Sequence, residues 1–251
     1  MLKTNMRSIF NSRIFWASCF VMPVILLLSQ IDGLVDLYRK GEVQTWDFYF
    51  QFQLKGLADS TMVFLAPILC ALPYTAGFEE DIRSGMIKAI LPRTTRFRYL
   101  AGKVLACGLS GGLVLVIGIL LNMFLCLPVL SPMLRGMEQD ISIWPSLLQL
   151  FQSALLLFAS GFFWAAFGML MATLTGSWYV AYSAPFICYY LLIIFYERYF
   201  PYLLILYPKS WLAPGTEWFL GAFGVLFWVA ELAAIVFMLF ILAGGRRLER
   251  V

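Results

Sequence analysis

The 251-residue sequence contains no histidine, and only 13% of its residues are charged. Without an imidazole there is no Ser-His dyad, no His-ligated metal or haem and no imidazole proton relay, which removes most hydrolase mechanisms. Soluble globular chains are about a quarter charged and about half apolar. Here 62% of residues are apolar and the mean hydropathy is +0.84, which excludes a water-soluble fold. The five cysteines, Cys19, Cys70, Cys107, Cys126 and Cys188, all lie in apolar stretches, with no CxxC spacing and an odd total. They suggest neither a disulfide framework nor a zinc site and read as small hydrophobes. Internal repeats, low-complexity linkers and a soluble domain are also lacking, so residues 1–251 are expected to form a single membrane domain.

What the chain does have is aromatics (23 Phe, 12 Tyr, 8 Trp) and long uncharged runs. A bilayer core of about 30 Å needs roughly 20 helical residues. The runs Ile14 to Gln30, Ser60 to Phe78 and Val104 to Leu134 each accommodate one crossing. The 56 uncharged residues from Ile141 to Tyr196 would make a helix roughly 84 Å long. That run must fold back once, at Thr173, Thr175, Gly176 and Ser177. A final run, Trp218 to Gly245, carries one charge, Glu231. The expectation is an all-α polytopic membrane protein with six transmembrane helices, at about 14–30, 60–78, 104–128, 147–172, 178–196 and 219–243.

Six crossings put both termini on one side of the membrane, and the Lys and Arg distribution tells which side. One side carries Lys3, Arg7, Arg13, Arg83, Lys88, Arg93, Arg96, Arg98, Lys103, Arg246, Arg247 and Arg250; the other carries Arg39, Lys40, Lys55, Arg135, Arg198 and Lys209. Both termini are therefore expected to be cytoplasmic. The net charge of +4 reflects this topology, and no aromatic-interleaved basic patch points to nucleic acid. The first apolar run lacks a small-x-small cleavage site and is read as a retained helix. Before it, Leu2, Met6, Ile9 and Phe10 recur at helical spacing, which predicts an interfacial amphipathic helix over 1–13. The first outer loop, with Trp46, Phe48, Tyr49, Phe50 and Phe52, reads as an aromatic belt at the headgroups. The last, Glu197 to Glu217, is too short to span twice and too apolar for open water. It predicts short outer re-entrant helices between spans five and six.

The connection between spans two and three departs from a generic bundle. Glu79, Glu80 and Asp81 precede Ile82, Met86, Ile87 and Ile90, spaced as the apolar stripe of a short amphipathic helix that Pro92 ends. A basic stretch, Arg93 to Lys103, then leads into span three. Acid cluster, short helix and basic cluster together read as a docking surface.

The order Phe78-Glu79-x-Asp81-x-x-Ser84-Gly85 followed by Arg96-x-Arg98-Tyr99-Leu100-x-Gly102-Lys103 resembles the signature of ABC-2 type transporter permeases. The match covers about 26 residues, Phe78 to Lys103; the rest agrees in architecture. Relative to the family's common form an extra Arg93 follows Pro92, so both Arg93 and Arg96 are candidates for the family arginine. The resemblance implies a six-span permease subunit of a bacterial ABC exporter in the plasma membrane, with a cytoplasmic coupling helix between spans two and three. It implies a second permease protomer, as homodimer or heterodimer, with separate cytoplasmic P-loop ATPase subunits that hold ATP and Mg. Accordingly, Gly102-Lys103 lacks the glycine a P-loop needs six residues before the lysine and the Ser or Thr after it, so no ATP site and no catalytic residue is assigned to this chain. The coupling-interface candidates are Glu79, Glu80, Asp81, Arg83, Ser84, Gly85, Met86, Lys88, Arg93 and Arg96, contacting either the ATPase or neighbouring helices. The family role implies export of a hydrophobic or amphipathic cargo, such as an antimicrobial peptide, a lipid-like molecule or a drug.

Inside the spans, Glu231 reads either as a substrate or proton contact at the bundle centre or as a carboxyl that fixes packing; facing lipid as a charge would cost roughly 2.5 to 3.5 kcal/mol. Asn122, Gln149 and Gln152 similarly line a path or bond across helices. Gly108-x-x-x-Gly112, Gly161-x-x-x-Ala165 and Gly168-x-x-x-Ala172 permit close helix approach. Two other classes compete with the exporter. A proton- or ion-coupled secondary transporter would use Glu231, its single intramembrane acid, without detectable inverted repeats. An intramembrane enzyme would need a carboxylate pair or a Ser-Lys dyad, and no span shows one.

Overall fold

The computed structural model describes residues 1–40, 45–134, 143–212, 218 and 220–249. Among them every secondary-structure element is a helix or a 3-10 turn. Four helices are long and apolar enough to cross a membrane, or up to six if each of two bent helix pairs counts as one crossing.

The first bent pair is α1 (Leu2–Phe10) with α2 (Arg13–Ser29), angled at 61°. Ile9 of α1 is buried, Met6 packs against the core, and Asn5 Nδ2 donates to the Gly102 carbonyl at 3.2 Å. The N-terminal helix is thus seated on the protein, as well as amphipathic. After α2 the chain forms α3 (Ile31–Lys40), then α4 (Trp46–Leu57) and α5 (Ser60–Ala71), the last two bent by 67°. Each of this second pair starts at a side-chain cap: Thr45 Oγ1 accepts from the Phe48 amide, and Asp59 Oδ2 accepts from the Thr61 amide at 2.9 Å.

These two caps correct the sequence expectation for residues 32–78. The first outer loop is largely helical, and Tyr49 and Phe52 of α4 are core residues, where an aromatic belt was expected. The expected span 60–78 is shorter as a helix, because α5 ends at Ala71. Twelve residues reach roughly 18 Å, short of the ~30 Å hydrocarbon core, so a crossing here requires α4 and α5 together.

Next come α6 (Gly77–Arg83) and α7 (Met86–Ile90), with a 3-10 turn at Leu91–Arg93. The single amphipathic helix expected here is broken, because Gly85 adopts φ 70°, a left-handed conformation that interrupts the helix and favours glycine. Of the expected apolar stripe, Ile87 is buried and Met86 exposed.

The bundle is completed by α8 (Arg96–Leu130), α9 (Trp144–Thr175), α10 (Trp178–Arg198), α11 (Pro208–Leu212) and α12 (Gly221–Leu248). Gly176, at φ 75°, ends α9 where the fold-back was expected. Between α10 and α12 the chain has a 3-10 turn at Leu204–Leu206 and the five-residue α11, whose Trp211 is buried against Trp164. Residues 213–217 and 219 of that connection, Pro214 included, lie outside the described residues, as do Arg135 and Arg250.

At the centre α8 and α9 form the most extensive helix pair, with α2 against α8 and with α10 and α12 against α9. A glycine seam allows the central pair to approach. A Cβ placed on Gly111 would lie 2.5 Å from the Ala165 Cβ and 2.6 Å from the Gly161 carbonyl oxygen, while Gly108 and Gly112 face Phe162 and Phe158. Large apolar residues on α2, α10 and α12, such as Phe20, Ile187, Phe227 and Met238, point outward, as lipid-facing surfaces do.

Candidate functional site

Beneath the α5–α8 connection lies a pair of ion-pair clusters that hold α6 from two sides. Residues two apart on an α-helix point about 200° from each other. Glu79 and Asp81 therefore reach different neighbours.

Asp81 faces α8. Its Oδ2 accepts from Lys103 Nζ at 2.7 Å and from the Tyr99 hydroxyl at 2.5 Å. Lys103 Nζ donates also to the Tyr74 hydroxyl at 2.8 Å and to the Gly77 carbonyl at 3.2 Å, so the three ammonium protons have three acceptors. Both charged side chains are nearly withdrawn from solvent, 5% exposed for Lys103 and 12% for Asp81.

Glu79 faces α12 and α9. Arg247 grips it bidentately, Nη1 to Oε1 at 2.5 Å and Nη2 to Oε2 at 2.8 Å. The same Nη1 donates to the Thr173 carbonyl at 2.7 Å. Arg247 thus joins the last turn of α12, the last turn of α9 and α6, and it caps the Thr173 carbonyl in that last turn of α9. Burial raises the Glu79 carboxyl above its ordinary range, a larger effect than the lowering by Arg247 and Arg83.

Of the coupling-interface candidates, Glu79 and Asp81 are therefore interior residues tied to neighbouring helices, and the expected acidic docking cluster is reduced to Glu80. Glu80, Arg83, Ser84, Met86, Lys88, Arg93 and Arg96 are exposed, and Gly85 forms the break between α6 and α7. With exposed Phe97 and Arg98 they make a basic rim bearing two apolar knobs, Met86 and Phe97. Arg96 pairs with Glu249 at 3.3 Å on the open surface, a contact of little energetic weight. Arg83, Lys88, Arg93 and Arg98 have no carboxylate partner among the described residues.

Sequence reasoning missed Arg247 as the partner of Glu79, since an arginine ending the last helix looks like any cytoplasmic flank. It read Lys103 as part of a basic re-entry, although a lysine in the second turn of a long apolar helix is itself a signal of a buried partner.

The intramembrane polar candidates do not converge. Asn122 is buried and its Nδ2 donates to Gln53 Oε1 at 2.6 Å, an α8–α4 contact that the loop reading of Gln53 hid. Gln30 of the α2 end donates from Nε2 to the Phe52 carbonyl at 3.1 Å. Gln149 is exposed, Gln152 half-buried, and neither bonds to this group among the described residues. Glu231 is a correction: it lies on the exposed side of α12, not at the bundle centre. The buried face of that helix is set by Val225, Val229, Val236 and Phe240, and Glu231 stands about 200° from Val229.

Comparison with models of known protein families, with curated proteins and with solved structures gives no match for this chain.

Proposed function

We propose that the chain is the membrane-spanning permease subunit of an ATP-driven exporter of the ABC-2 type. In this reading α2, the α4–α5 pair, α8, α9, α10 and α12 are six crossings of a bacterial plasma membrane. Both termini and the α5–α8 connection face the cytoplasm, as the excess of Lys and Arg on that side favours. ATP and Mg belong to separate P-loop ATPase subunits, and a second permease protomer completes a pathway for a hydrophobic or amphipathic cargo.

The observation that carries the proposal is the construction of the segment from Phe78 to Lys103. Two of its three acidic residues, Asp81 and Glu79, are spent inside on Lys103, Tyr99 and Arg247, and its exposed side is a predominantly basic rim with Glu80 and the apolar Met86 and Phe97. A partner pressing on Met86 and its neighbours would move α6 and α7, and the two buried clusters would pass the displacement to α8, α9 and α12 as near-rigid bodies. Glu231, exposed on α12, offers no comparable arrangement for an ion-coupled mechanism.

The test is co-purification in mild detergent with candidate P-loop ATPase subunits co-expressed from the same organism, comparing wild type with a Met86→Asp/Lys88→Glu variant. A stable complex that the variant weakens at least tenfold, while melting like wild type, is expected. No complex in any detergent, or a variant that binds as well as wild type, would overturn the proposal.

A further inference from the structure

Between the last turns of α9, the C-terminal half of α12 and α6 lies a cavity of about 830 Å3. Its walls divide by chemistry. Leu170 and Leu174 of α9 and Leu239 and Leu242 of α12 form an apolar side, and Leu174 and Leu242, each 62% exposed, open it laterally. The other end holds Arg246 and Arg247 beside Thr173, Thr175 and Gly176.

The polar groups at that end are already occupied, with one exception. Thr175 Oγ1 donates to the Met171 carbonyl at 2.9 Å, and Arg247 serves Glu79 and the Thr173 carbonyl. That arginine neutralises the Glu79 charge and covers the Thr173 carbonyl at the α9 C-terminus, which would otherwise add to the repulsion of an anion. Arg246 is exposed and takes part in no ion pair or side-chain hydrogen bond among the described residues. The cavity thus presents one uncommitted guanidinium above an open leucine-lined cleft. Water would satisfy the guanidinium but leave the leucines wet, whereas a lipid tail alone would leave a cation facing hydrocarbon.

We propose that this cavity binds an anionic phospholipid, its phosphate on Arg246 and an acyl chain along Leu170, Leu174, Leu239 and Leu242. Basic pockets between transmembrane helices recognise anionic headgroups in this manner. The inference needs the membrane embedding of α9 and α12 and is independent of the exporter reading. Because Ile82 of α6 also lines the cavity, the lipid would sit against the α5–α8 connection.

The experiment uses the full chain purified in a neutral detergent and titrated with phosphatidylglycerol, phosphatidylcholine or inorganic phosphate. Retained lipid is read by native mass spectrometry and protection by thermal unfolding. Saturable retention of phosphatidylglycerol over phosphatidylcholine is expected. Arg246→Ala should weaken that retention about fivefold, as losing one juxtamembrane arginine implies, and Arg246→Lys should keep most of it. Since Arg246 takes part in no ion pair or side-chain hydrogen bond among the described residues, Arg246→Ala should melt like wild type in phosphatidylcholine; Arg246→Gln is the second variant should it not. Equal retention of the two lipids, undiminished retention in folded Arg246→Ala and Arg246→Gln, or equal protection by inorganic phosphate would each overturn the proposal, the last by showing a site for free anions.

Discussion

Replacing Arg247 with alanine leaves the Glu79 carboxylate, 2% exposed, without its counter-charge. Two charge-assisted hydrogen bonds to Glu79 and one to the Thr173 carbonyl disappear together. Breaking a buried pair from one side typically costs about 3–5 kcal/mol. Arg247 is itself 25% exposed, so water reaches the gap and the lower end, about 3 kcal/mol, is expected near neutral pH. For a chain of this size that corresponds to a melting decrease of roughly 6–12 °C.

The loss also has a direction with pH. Burial already holds the Glu79 carboxyl above its ordinary range, and removing Arg247 removes its main lowering influence. A carboxyl whose folded value exceeds its unfolded value of about 4.3 stabilises the fold fully below the unfolded value and loses that contribution as pH rises through the folded value. Arg247→Ala should therefore be closest to wild type near pH 4 and fall progressively behind as pH rises. Glu79→Gln in the same background should recover at least ~1.5 kcal/mol at pH 8. Unfolding in detergent at a series of pH values, for the two single variants and the double, measures all of this. A loss under ~1 kcal/mol, a pH-independent loss, or additivity of the two substitutions would refute the clamp.

Other positions give independent tests. Gly111→Val would drive side-chain carbon into Ala165 and the Gly161 carbonyl, separating α8 from α9; a loss of more than ~3 kcal/mol or failure to accumulate is expected, against wild-type stability if the seam is loose. Gly85→Ala meets no atom within 4 Å but must hold φ near 70°, so calorimetry should show a cost of only about 1 kcal/mol, with no change in melting if the break is not left-handed. Glu231→Leu removes a carboxyl from the exposed face of α12 and should raise resistance to unfolding in lipid while leaving ATPase stimulation in the complex intact; loss of transport would instead assign Glu231 a working role.

Helical content and the positions of α8, α9, α10 and α12 were legible because charges and a Gly-containing turn bound their apolar runs. The α4–α5 pair was not. Asp47 and Lys55 break the apolar pattern there, and it is long-range packing of Tyr49 and Phe52 with α8 residues such as Cys126 and Leu130, together with polar bonds from α4 to Asn122 and Ser146, that makes α4 part of the core. Apolar spacing across Gly85 suggested one helix because periodicity carries no information about φ. The acidic triplet was visible as a special feature, but which acids turn inward depends on Lys103 and on Arg247, the latter 168 residues from Glu79. Glu231 was legible as a mid-span charge, yet counting residues within an apolar run cannot tell which face of the helix it occupies.

The most direct measurement of the central claim is site-specific photo-crosslinking with the proposed ATPase subunit, co-expressed in membranes. One photoreactive residue replaces Met86 on the rim, and another replaces Tyr202, which is 97% exposed in the α10–α12 connection at the opposite end of α10. The account predicts an adduct with the ATPase from position 86 and none from position 202. No adduct from position 86, or equal adducts from both, would contradict it.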